Sequence, residues 1–558
     1  MQGKRLLPCR TEAEALLPAG IFNSPPAPRF RGSLILPGEK RPVGAALLKR
    51  LSPGRRYDAH VAARRADTEW GDPRRRGELR PMERIVNRAW ADVAVVGGGP
   101  AGALAARQLA GFGFDVALAH LPRRRWQHLG ESLSASAPRL LGAYGLELPP
   151  SVYAPRPADH FVRWAGREDR IAAQPGRGGG EGQRLLRRDR LDAWLLGEAR
   201  RAGVRIVEAA AAGCSFGAGA ATLRLRSKDG TSSALRAAAV VDASGRSGAL
   251  TRGGRERPGF RTTALTRHFP SGPRTGTLIT SFPDGWVWSA PVVGGLRDVT
   301  VMVDAETAAD PEPAFAAAVR EGRLGGFVNA EDEAGEAIRA ADVTPVLLPE
   351  PARRPAGVPL LAVGDAASAL DPLTGLGTMK AMDSGLTAAI VIRTALERPA
   401  DAGLALDFHN TRERGLAAET GDRIAAFYAE ETRYADRRFW RRRSRAPAVP
   451  PPRPVPLSRD APLVAAPDAR IETRGLLEGD WIVPAEVLTL PGRRRPAHRF
   501  GPVHLPELFR RATAAGPASR VPATFSAGES AALAFLLREG FLIPRPPPAA
   551  AAGCPPSP

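Results

Sequence analysis

Gly97, Gly99 and Gly102 follow the spacing G-x-G-x-x-G within "ADVAVVGGGPAGALAARQLAGFGFD". An apolar strand pattern, VAVV, ends at the first glycine, and a helix pattern over Ala101–Leu109 begins beside the last. Glycines so placed let the backbone approach a pyrophosphate, and a helix N-terminus offers it open N–H groups with about half a unit of positive charge. The spacing points to a bound dinucleotide; its bland alternative is a tight strand-to-helix turn. The second strand pattern, Asp115–Ala119, runs into "VALAHLPRRR". Such a strand usually ends in Asp or Glu, which holds a ribose, and the residue here is His120. A histidine nitrogen makes one hydrogen bond to a ribose hydroxyl, without a carboxylate's charge and second oxygen.

These groups need elements to position them. After the βαβ opening come a helix pattern at "LSASAPRLLGAYG", an amphipathic helix leading into a strand at "RRDRLDAWLLGEARRAGVRIVEAA", and a strand ending in a loop at "ALRAAAVVDASGRSGAL". Between Thr277 and Asp304 the pattern changes to alternating strands, "TLITSF", "GWVWSAPV" and "RDVTVMVD", which predict an antiparallel sheet inserted as a separate layer. The segment "VPLLAVGDAASALDPLTGLGTMKAMDSGLTAAIVIRTAL" returns to strand, loop and long helix. The expected class is α/β: a Rossmann-like three-layer domain over 89–398, with an inserted antiparallel-sheet substrate domain at about 151–182 and 261–350. A helical region (399–445), a Pro-rich linker (446–469), a small C-terminal module (470–545) and a disordered tail (546–558) follow. Residues 1–88, rich in Pro, Arg and Gly with short apolar fragments, are expected to be a disordered basic extension. Met82 is a plausible start.

At 43% hydrophobic and 25% charged, the 558 residues are enough for two or more globular domains. The net charge of +21 raises nucleic acid as a partner, but residues 1–90 alone hold 19 Lys or Arg against 9 Asp or Glu, close to half of that excess. Only 5 of the 79 basic residues are Lys, a bias of the kind gene base composition produces, so no nucleic-acid partner is expected. Cys9, Cys214 and Cys554 are scattered and odd in number, which speaks against a disulfide framework and a metal site. No apolar run approaches the roughly 18–20 residues that span a bilayer, and the N-terminus lacks an apolar signal core. A cytoplasmic protein is expected.

Four motifs in order, "GGGPAG", "GES" (Gly130–Ser132), "DASGR" (Asp242–Arg246) and "GDAAS" (Gly364–Ser368) with "DPLTGLG" (Asp371–Gly377), resemble the FAD-dependent monooxygenase and tryptophan-halogenase superfamily over roughly residues 90–445. The resemblance implies a glutathione-reductase-type domain carrying an extended FAD. Gly97, Gly99 and Gly102 would face its pyrophosphate, and His120 would stand at the ribose position. Asp365, after Gly364, would hold the ribitol or pyrophosphate region. The helix start after Gly375 and Gly377 would face the flavin ring, where N–H groups stabilise negative charge on the reduced isoalloxazine. Arg188, in a segment like the family's R-x-x-L-D, is a further FAD contact or else a surface charge at a helix start. Ser244 stands where single-component hydroxylases carry the Asp of an Asp-Gly motif that touches FAD and NAD(P)H. The electron source is accordingly left open between NAD(P)H and a separate flavin reductase.

"GWVWSAP" resembles the halogenase motif W-x-W-x-I-P, with Trp286 and Trp288 on one face of a strand, lining a pocket wall or packed as core aromatics. Halogenases also need a Lys that captures hypohalous acid, and this sequence has none between Lys49 and Lys228. Arg stays protonated and is a poor substitute. Oxygen insertion from O2 through a flavin C4a-hydroperoxide onto an electron-rich ring remains, with Glu131 a candidate acid or a brace. "FYAEETRYADRRFWRRR" is similar to a segment of flavoproteins that mature quinone-cofactor amine dehydrogenases and amino-acid oxidases, or else an aromatic-stapled surface element. The resemblance implies a monooxygenase acting on an aromatic small molecule or a Trp-containing partner polypeptide, with a flavin reductase as a possible partner. Alternatives are a halogenase or prenyl-chain reductase of the same superfamily, and a non-catalytic flavin-fold binding protein.

Overall fold

The computed structural model describes residues 89–122, 130–154, 159–172, 184–217, 219–328, 337–445, 463–493, 495–514 and 525–544. The expected extension over 1–88, most of the linker and the tail after 545 lie outside them.

Strand Trp90–Val96 pairs in parallel with Ser232–Asp242 on one side and Val116–Ala119 on the other, and Leu360–Ala362 and Arg205–Val207 extend the sheet in the same sense. Val93, Val95, Val116, Leu118, Val241 and Leu361 are all buried, as a parallel sheet covered on both faces demands. The register sets Val96 beside Asp242 and Asp242 beside Ala362. The three loops that follow these residues therefore leave the sheet at one carboxyl edge, where open α/β sheets bind ligands. Helix Pro100–Gly111 starts directly from the glycine loop. The 21-residue helix Gly377–Glu397 packs against it, with Gly385 so close to the Ala101 backbone that a Cβ there would collide with it.

The inserted sheet has seven strands, in the order Arg339–Asp342, Thr262–Pro270, Leu296–Asp304, Gly285–Pro291, Thr277–Phe282, Asp159–Trp164, Arg167–Ala172. One pairing departs from the expected antiparallel pattern: Thr277–Phe282 runs parallel to Asp159–Trp164. These two strands come from separate excursions of the chain, so no hairpin dictates their relative direction. One face of the sheet, with Leu265, Val287 and Val301, packs on Phe315 and Ala318 of helix Pro311–Glu321. The other face, with Trp164, Ala264, Trp286 and Met302, is covered by Tyr428, Phe439 and Trp440.

Those covering residues come from the end of helix Ala402–Ala429 and from helix Arg438–Arg443. Beyond them, Leu488, Leu508, Phe509, Leu533 and Phe541 give the C-terminal module its own apolar cluster. The module is also tied to the main body. Its hairpin, Arg470–Glu478 with Trp481–Thr489, sends Ile482 into the core under the parallel sheet, and the Ile482 N–H donates to Thr394 Oγ1 at 3.0 Å.

Candidate flavin site

The glycine loop is built for close approach. Gly97 holds φ +105°, a Cβ on it would strike the Ala243 carbonyl, and a Cβ on Gly102 would strike the Gly97 carbonyl. Gly99 caps the following helix without a side-chain hydrogen bond and Pro100 opens its first turn, so the helix N-terminus presents its dipole and N–H groups without a competing side-chain acceptor. His120 belongs to this loop. Its Nδ1 accepts the Gly98 N–H at 3.3 Å, which in the neutral ring puts the proton on Nε2.

The next loop is folded around Asp242, a fully buried carboxylate. It accepts the Ser244 N–H and hydroxyl at 3.1 and 2.6 Å, the Leu250 N–H at 3.0 Å and the Thr251 hydroxyl at 2.7 Å. Ser244, at the position where hydroxylases carry Asp, thus serves as a local cap. Arg246 reaches outward from the same loop to the carbonyls of Thr344 (2.8 Å) and Leu370 (3.3 Å), with its Nε 3.5 Å from the half-buried Asp365 carboxylate. Arg255 donates to the carbonyls of Arg246 and Ala366, at 2.8 Å each. Two arginines therefore lash the "DASGR" loop to the "GDAAS" loop.

Behind the Gly364–Ser368 turn lies a buried ammonium. Lys380 donates to the carbonyls of Gly364 (2.6 Å) and Ser368 (2.7 Å) and pairs with Glu413 at 3.1 Å. Ser384 links the two ends of this arrangement, taking the Gly364 N–H and donating to Glu413 at 2.7 Å. Burial works to raise the Glu413 pKa, but Lys380, His409 and the Ser384 hydroxyl outweigh it and hold it at about 2.

Glu131 and Arg188 come together. One guanidinium nitrogen of Arg188 lies 3.0 and 3.3 Å from the two Glu131 oxygens, and its Nε donates to Asp192 at 2.8 Å. Thr378, in the first turn of helix Gly377–Glu397, donates to the same Glu131 carboxylate at 3.1 Å. That helix begins without a side-chain cap, after a turn in which Gly375 takes φ +60°. Arg188 is thus a mostly buried, ion-paired charge at its helix start rather than a solvated one.

The two tryptophans part company. Trp286 is buried in the aromatic cluster, and its Nε1–H donates to Tyr428 Oη at 3.1 Å. Tyr428 lies 3.2 Å from both oxygens of Asp371, the first residue of "DPLTGLG". Trp288 is only partly buried; it packs against the edge of the same cluster and beside Ala154, Leu185 and Ala290. Of the two readings of this pair, Trp286 takes that of a core aromatic, because the segment carrying Tyr428 covers it. That segment is also no surface staple: Glu431 accepts the Ala165 N–H and the Ser281 hydroxyl, Trp440 donates to the Phe282 carbonyl, and Arg443 pairs with Asp304 at 2.7 Å in the interior. Burial pushes the Asp371 carboxyl up, with the Leu373 N–H and the Arg443 charge working the other way.

Sequence alone marks no role for Arg246, Asp371, Lys380 or Tyr428: Arg246 and Asp371 sit inside motifs defined by other residues, and Lys380 shares the otherwise uncharged "GTMKAMDSGLTAAIVI" with Asp383. Among the described residues, no group of three or more His, Cys, Asp or Glu could hold a metal ion, and no helix is long and apolar enough to cross a membrane.

An uncapped helix start, glycines that leave room for nothing larger, and a carboxylate and a histidine at the ends of the two strands that flank Trp90–Val96 suit an extended dinucleotide. Fold and site together fit the class of FAD-dependent oxidoreductases. The tryptophan halogenase family matches residues 186–453. A tryptophan 2-halogenase from Chondromyces crocatus is 26% identical, over 62% of this chain and 69% of its own length. The structure of QhpG, a peptidyl tryptophan dihydroxylase essential for tryptophylquinone cofactor biogenesis, is 27% identical with a TM-score of 0.59, and the match covers 81% of this chain and 100% of that one. CmlS, a flavin-dependent halogenase, shares the fold with a TM-score of 0.63 at 18% identity, over 81% of this chain and 95% of its own. In sequence and fold the chain is thus similar to the FAD-dependent halogenases and to the tryptophan dihydroxylase.

Proposed function

We propose that this protein is a monooxygenase that hydroxylates an electron-rich aromatic ring, and that the ring is a tryptophan side chain of a partner polypeptide. The observation that carries this reading is the similarity to the peptidyl tryptophan dihydroxylase, which extends over the whole of that protein. Bound FAD, reduced by NAD(P)H or by a separate flavin reductase, supplies the two-electron activation of O2. Gly97, Gly99 and Gly102 would admit its pyrophosphate, His120 would meet its ribose, Asp365 would hold its central chain, and the helix start at Gly377 would face its ring. Glu131, held between Arg188 and Thr378, fixes the strand Gly130–Leu133 against that helix.

The use made of lysine supports oxygen rather than halogen transfer. Of the two lysines among the described residues, Lys228 is exposed in a hairpin turn and Lys380 is buried with its ammonium saturated by two carbonyls and a carboxylate. Neither offers a reactive amine to a bound ring. Tryptophan halogenation is the second reading, favoured by the family match and the Chondromyces relative. To separate the two, FAD-loaded protein is given reductant, O2 and bromide, with free tryptophan and with a Trp-containing polypeptide. A mass gain of one or two oxygen atoms on the polypeptide is expected; bromine in either product would reverse the assignment.

A further inference from the structure

The hydrogen bonds that join the inserted sheet to the loop before the long helix have no part in the chemistry above. An indole N–H only donates, so the Trp286 contact makes the Tyr428 oxygen an acceptor and leaves its single hydrogen for Asp371. Asp371 Oδ1 also accepts the Leu373 N–H at 2.9 Å, closing the turn Pro372–Thr374 that leads to Gly375 and the helix start. Trp286, Tyr428 and Asp371 are 2%, 1% and 8% exposed, so each bond is made where water cannot replace it. The three residues come from a sheet strand, a C-terminal helix and the "DPLTGLG" loop, so the two bonds tie three separate parts of the fold together.

We propose that Tyr428 is a positioning residue for the flavin: through Asp371 it couples the inserted sheet at Trp286 to the loop that presents the N-terminus of helix Gly377–Glu397. Trp286 then influences the reaction through Tyr428 and not by touching the substrate. The inference rests on the reading of that loop as the one facing the isoalloxazine.

The test uses apo-protein of the full chain titrated with FAD, comparing wild type with Tyr428→Phe, Asp371→Asn and the double variant. Tyr434→Phe, whose ring packs on Trp440 in the same segment, is the control. Affinity for FAD and the absorption bands of the bound flavin are read. Each single variant is expected to bind FAD about tenfold more weakly, the worth of one hydrogen bond to a charged group, and to shift the flavin bands. The double variant should be no weaker than either single one, because both break the same link. Tyr434→Phe should match wild type. Should Tyr428→Phe fail to fold, Asp371→Asn gives the same reading from the other end. Wild-type affinity and spectrum in the variants, with only thermal stability lowered, would overturn the proposal. If wild type itself takes up no FAD, the cofactor reading fails first and this inference falls with it.

Discussion

Arg188 holds Glu131 through one nitrogen set 3.0 and 3.3 Å from the two carboxylate oxygens, and Thr378 secures that carboxylate from the head of the long helix. Burial alone would lower the Arg188 pKa, but Glu131 and Asp192 raise it further above its ordinary value, so the guanidinium is charged at every working pH. Arg188→Met should lower stability by roughly 1–3 kcal/mol, the cost of leaving a part-buried carboxylate without its donor. FAD retention on gel filtration should fall with it. Glu131→Gln, which keeps the Thr378 contact and loses only charge, should be milder in both measurements.

His120 acts on the loop as well as on the proposed nucleotide site, because its Nδ1 takes the Gly98 N–H. His120→Glu should tighten FAD retention, since a carboxylate can accept from the loop and from the ribose hydroxyls together. Equilibrium dialysis of FAD checks this. His120→Ala should weaken retention, losing both bonds.

Gly102→Ala should abolish FAD uptake. The added methyl would strike the Gly97 carbonyl, so the loop must open at the point where it approaches the pyrophosphate. Flavin absorbance at 1:1 loading, compared with wild type, reads the loss.

Lys380→Met removes the cation of a buried pair and leaves Glu413 without its main compensating charge. A stability loss of about 3–5 kcal/mol is expected in urea unfolding. Glu413→Gln with Lys380→Met should recover part of it.

The same cluster gives the protein a defined acid response. Glu413 sits at about 2 in the fold, below its ordinary 4.5, so its contribution is present above pH 4.5 and is lost as pH falls toward 2. His409 adds to this from higher pH. Burial lowers its pKa below 6.5, so the unfolded chain binds a proton that the fold refuses, and stability declines as pH drops below 6.5. Thermal unfolding between pH 8 and 3 should show a decline starting near 6.5 and steepening below 4.5. Glu413→Gln should remove the steeper part.

By itself the sequence determined the parallel-sheet half of the protein. Its strands are unbroken apolar runs, and each cofactor motif is a short stretch whose chemistry is local, such as a glycine spacing or an Asp after a strand. The hairpin Ala209–Gly217 with Ala220–Ser227 is not legible in the sequence because "AAAAGCSFG" has neither alternation nor β-branched residues; that segment is a strand because it pairs with Ala220–Ser227, whose Ala221, Leu223 and Leu225 find a buried face beside Ser232–Asp242. Tertiary structure alone decided which tryptophan is buried, since Trp286 and Trp288 are equivalent in the alternation and differ only in what covers them. Likewise, Tyr428 and Asp371 stand 57 positions apart, and Glu131 and Thr378 stand 247 apart. Periodicity reports which face a residue shares with its near neighbours. Which distant partner closes a buried polar group is set by the packing of whole elements, because such a group must find a donor or acceptor wherever the fold brings one.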